Sequence, residues 1–66
     1  MTTYGEYADR VRNAMAAMGL DADNTDAVRA LVRMALPARA SDLDAWAVAA
    51  IIVPDCTKLG DPPASA

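Results

Sequence analysis

The chain has 66 residues, of which 36 are hydrophobic, with no His, one Cys and a net charge of −3. That allows one domain, and it excludes a histidine base, a histidine metal ligand, an internal disulfide and a thiolate cluster. An acidic chain is also poorly suited to gripping phosphates through a broad basic surface.

Sixteen of the 36 hydrophobic residues are alanine, which leaves 20 larger apolar side chains. Ordering a chain of this length costs about 100 kcal/mol of conformational entropy, at about 1.5 kcal/mol per residue. A small domain buries only about 60% of its unfolded surface. Such a thin core needs well-formed local helices or burial against a second chain. Alanine is the best helix former, so the composition predicts an all-α fold.

The first helix is predicted over 4–18. Thr3 is placed to cap it and Glu6, three residues on, to complete a capping box. Tyr4, Tyr7, Ala8, Val11, Met15 and Met18 recur at steps of three and four and trace one apolar stripe. Gly19 suits the left-handed position beyond the helix end, with Leu20 folding back onto Met15.

The second helix is predicted over 24–36, after an acidic loop. Asp23 is expected to cap it, and Asp26 to favour the helix dipole. Val28, Leu31, Val32 and Ala35 form its buried stripe, with Arg29 and Arg33 opposite and Asp26 beside them. Pro37 ends it. The third helix is predicted over 42–53, between Ser41, paired with Asp44 in a capping box, and Pro54. The sum is a compact three-helix bundle with short loops. The domain is expected to span 1–59, and the Pro-containing C-terminal tail, 60–66, to be disordered.

Helix three breaks the amphipathic rule. From Ala45 to Val53 it carries no polar residue. A helix that is apolar all round needs cover all round. Leu43, Trp46, Ala47, Ala50, Ile51 and Val53 fall on one side, and Ala45, Val48, Ala49 and Ile52 on the other. The second set is expected to be an interface with a partner protein or with a second copy. The alternative is that the tail folds back and sets Leu59 over Val48 and Ile52.

The search for chemistry is mostly one of exclusion. Ser41 is explained as a helix cap, and a serine triad would need a base that is absent. Cys56 reads as an incidental thiol. Asp21, Asp23 and Thr25 resemble the start of a calcium loop, but Asp26 stands where glycine is needed and Val32 where the bidentate Glu belongs. Ser41-Asp42-Leu43 inverts the order of an acyl-carrier attachment site. No enzyme activity, metal or cofactor is expected. Nucleic acid is an unlikely partner, because a recognition helix presents polar and basic groups and helix three presents Asp42, Asp44 and hydrocarbon. The apolar run, nine residues long, is too short to span a bilayer. No secretory signal and a single cysteine point to the cytoplasm.

The expected function is therefore binding: a small acidic inhibitor or adaptor acting by protein–protein interaction. Anti-CRISPR proteins and antitoxins encoded by phages and bacteria offer an analogy of size and charge alone. Glu6, Asp9, Asp21, Asp23 and Asp26 would form its acidic contact surface. The alternatives are a dimeric nucleic-acid-associated regulator using Arg29, Arg33 and Arg39, and a structural subunit of a larger assembly.

Overall fold

A computed structural model describes residues 2–63, the side chain of Cys56 excepted. Three α-helices follow in order: α1, Tyr4–Met18; α2, Thr25–Ala35; α3, Asp42–Ile52. A 3₁₀ turn, Cys56–Leu59, precedes the last four described residues, and no strand occurs among the described residues. Every pair of helices packs together, and the C-terminal turn packs on α3. This is the three-helix bundle expected from the hydrophobic periodicity. Residues 64–66 of the expected disordered tail lie outside the described residues.

The ends form where local chemistry places them. The Thr3 hydroxyl accepts from the backbone N–H of Glu6, and Ser41 and Asp44 form a complete capping box at the start of α3. Gly19 takes φ 70°, and the N–H of Leu20 donates to the Met15 carbonyl at 2.9 Å. This is a Schellman stop, which a residue with a Cβ would strain. Two caps differ from expectation. The Glu6 side chain does not return a bond to the Thr3 N–H among the described residues, so the capping box of α1 is only half formed. Asn24, not Asp23, caps α2, its side chain accepting from the N–H of Ala27. Asp23 lies one residue outside and pairs with Lys58 at 3.6 Å.

The first two helices bury the stripes their spacing predicts. Ala8, Val11 and Met15 of α1, and Val28 and Val32 of α2, are buried. Tyr4 and Met18, at the two ends of the α1 stripe, are exposed instead. They lie at the outermost turns, where the neighbouring helices give less cover.

Helix α3 corrects the expectation in one respect: its two apolar sides are exchanged, except that Val53, just past its end, is buried as its side predicts. Ala45, Val48, Ala49 and Ile52 face the core, with Val48 fully buried. They are not a free interface. Leu43 and Ile51 lie on the outside, 37% and 42% exposed. The physical reason is that a run without polar residues sets no phase by itself, and the angle observed is the one at which Asp42 meets Arg33, Asp44 meets Tyr4 and the Ile51 carbonyl meets Arg12. Leu59 folds back and is buried in the same cluster.

This arrangement gives a direct contrast. V48S leaves a hydroxyl and a void in the core and should cost about 2–4 kcal/mol, a large share of the stability of a small domain. I51S should change stability by no more than about 0.5–1 kcal/mol. Chemical denaturation of the two variants checks this, and equal losses would contradict the assignment of sides.

Candidate functional site

Because α3 is apolar all round, burying one side leaves the other uncovered. At 100° per residue, Trp46, Ala50, Leu43, Ala47 and Ile51 follow one another round the outward side. Leu43 and Ile51 are the most open, and Trp46, Ala47 and Ala50 are half-buried. Periodicity alone predicts these residues on the covered side. A run without polar residues gives the helix no phase, so spacing alone does not distinguish the sides.

One edge of this outward face adjoins α1. The Tyr4 hydroxyl donates to a carboxylate oxygen of Asp44 at 2.5 Å, and the Arg12 guanidinium donates to the Ile51 carbonyl at 2.9 Å. The other edge opens into a pocket of about 320 Å³ between α2, α3 and the end of the described chain. Arg29, Arg33, Trp46, Ala49, Leu59 and Asp61 line it, among others. The Arg29 guanidinium donates to the Leu59 carbonyl at 2.8 Å. Arg33 pairs with Asp42 at the start of α3, not with Asp26. The indole N–H of Trp46 is buried and has no acceptor among the described residues.

The charged residues singled out in the sequence are not gathered into one surface. Arg29 and Arg33 share the α2–α3 pocket, whereas Arg39 lies in a separate groove with Tyr4, Tyr7 and Asp44. Among the acids, Glu6 stands in the first turn of α1, and Asp21, Asp23 and Asp26 lie beyond its other end. Fifteen helical residues put those ends about 20 Å apart. Asp9 pairs with Arg12 at 3.5 Å. Asp21 accepts from the backbone N–H of Asp23, a loop-closing bond rather than a ligand arrangement. Among the described residues, no three His, Cys, Asp or Glu side chains form a group able to hold a metal. No described helix is long and apolar enough to cross a membrane. The Cys56 side chain lies outside the description.

Two carboxylates are tuned, both by hydrogen bonds at structural positions. The Tyr4 hydroxyl, then the Ser41 backbone N–H, hold the Asp44 carboxyl below its ordinary value of 3.8. The same bond, most of all, raises the Tyr4 phenol above 10.0. The Thr57 hydroxyl and backbone N–H lower Asp55. Neither carboxylate faces a second acid across a cleft, as acid–base work would need.

No family model, no curated protein and no solved structure matches this chain.

The Asp44 bond carries a pH signature. A depressed folded-state pKa means that its stabilisation is present above about pH 3.8 and is lost as pH falls through the folded value. Y4F removes the largest cause. The Asp44 carboxyl should then titrate closer to 3.8 in carboxyl-carbon NMR, and acidification should remove less stability than in the wild type.

Proposed function

We propose that this chain is a non-catalytic binding protein that acts by occupying a surface of another protein, as an inhibitor or adaptor. The observation that carries the reading is the outward side of α3. Leu43, Ala47 and Ile51 form an apolar ridge along two turns of helix, and exposed Tyr4 stands near its start. Isolated exposed apolar residues are ordinary, but a contiguous apolar helix face is the form a helix-in-groove contact takes. The bundle supplies a rigid mount for it, so little ordering cost is added on binding.

The net charge of −3 fits a partner with a basic rim around an apolar groove. The dispersed acids, Glu6 and Asp9 along α1 and Asp21, Asp23 and Asp26 beyond its end, would act through long-range attraction rather than as a single phosphate-like patch. The nucleic-acid reading gains less support. Arg33 is paired, Arg39 is in a different groove, and three arginines so divided do not form a basic track. Action inside the cytoplasm belongs to this proposal.

A tagged chain recovered from its native host should bring down a stoichiometric protein, and L43E/I51E should abolish the capture while leaving thermal stability within a few degrees of wild type. The mass of the complex separates a hetero-complex from self-association, which would instead favour a structural subunit. A wild-type chain that stays monomeric and captures no protein overturns the reading.

A further inference from the structure

The α2–α3 pocket carries a second inference, independent of the partner surface. Its volume of about 320 Å³ is at the lower end of the range for small-molecule sites, which run from about 300 to 1,000 Å³. Trp46, Ala45, Ala49 and Leu59 give it an apolar wall. The polar groups are unequal in what they still require. Arg33 and Asp42 satisfy each other. Arg29 donates to a single neutral carbonyl and has no carboxylate partner among the described residues. That leaves several of its five N–H donors uncommitted, while the Leu59 carbonyl fixes the orientation of the fork.

Trp46 adds a second, separate requirement. A buried N–H without an acceptor costs about 1–3 kcal/mol. Nearly every buried polar group in a native protein is paired, so an orphan donor on a residue that lines the pocket asks for an explanation. Both unmet needs, at Arg29 and at Trp46, are for an acceptor. Asp61, the other carboxylate of the lining, has no ion pair among the described residues and is exposed.

We infer that this pocket binds a carboxylate carried on a small apolar body, the carboxylate accepting from Arg29 and the apolar part lying against Trp46, Ala45 and Ala49. Adjustment of the indole on binding supplies the missing acceptor to its N–H. The carboxylate belongs either to a free small acid or to the end of a peptide chain, and the chemistry recognised is the same.

The chain has one Trp, so its indole N–H gives a single unambiguous NMR signal. The labelled full chain is titrated with sodium hexanoate, with hexanamide, and with the tripeptide Ala-Leu-Leu bearing a free or an amidated C-terminus. A saturable downfield shift of the indole signal is expected with a free carboxylate and not with either amide. R29Q should weaken binding about tenfold or more, the loss expected on removing a charge-assisted hydrogen bond. If R29Q does not fold, R29M gives the same reading, since it keeps a long apolar stem but removes both the charge and the donors. Tighter binding of the tripeptide assigns a chain end, and tighter binding of hexanoate assigns a free acid. No saturable shift with either, equal shifts with the amides, or wild-type affinity in the Arg29 variant overturns the proposal. None of these results depends on whether a protein partner is captured.

Discussion

The structure depends on how α3 is covered. An eleven-residue helix with hydrocarbon on every side cannot be left in water, and among the described residues there are only two other α-helices and one 3₁₀ turn to cover it. The solution places α1 and α2 against Ala45, Val48, Ala49 and Ile52, with Leu59 brought back from the far end. Val48, Ile52 and Leu59 each contribute about 1.5–3 kcal/mol by burial, so this one seam accounts for a large part of what holds the domain together. The remaining apolar side of α3 is the consequence: cover on one side was achieved without cover on the other. The candidate partner surface and the pocket both border that side.

Much of the architecture was legible because several local signals agreed. Thr3, Gly19 and the stripe through Ala8, Val11 and Met15 each mark the same helix. Ser41, Asp44 and Pro54 bracket α3 within a residue of its observed limits. Asn24 displaced Asp23 as a cap because either side chain serves chemically, and their order relative to the first helical turn is decided by the loop geometry.

The orientation of α3 was not legible, and the reason is physical. Periodicity locates a buried face by contrast with polar residues, and from Ala45 to Val53 there is no contrast. The pocket escaped notice for a related reason. Arg29 reads as one charge on a solvated face. Its anchorage on the Leu59 carbonyl, 30 residues away, exists only after the chain has folded back.

The ties between α3 and its neighbours gain meaning from this. Tyr4 to Asp44, Arg12 to the Ile51 carbonyl and Arg33 to Asp42 are all at exposed positions. Pairs of that kind add little stability, about 0–1 kcal/mol for a surface ion pair. Yet a cylinder that is greasy all round can turn about its own axis and lose little burial, so hydrophobic packing alone leaves a family of near-equal states. Asp42 and Asp44 project in different directions from its first turn, one reached from α2 and the other from α1, while Arg12 fixes its far end. Together they act as a key in a shaft, selecting one angle among many that the core would tolerate.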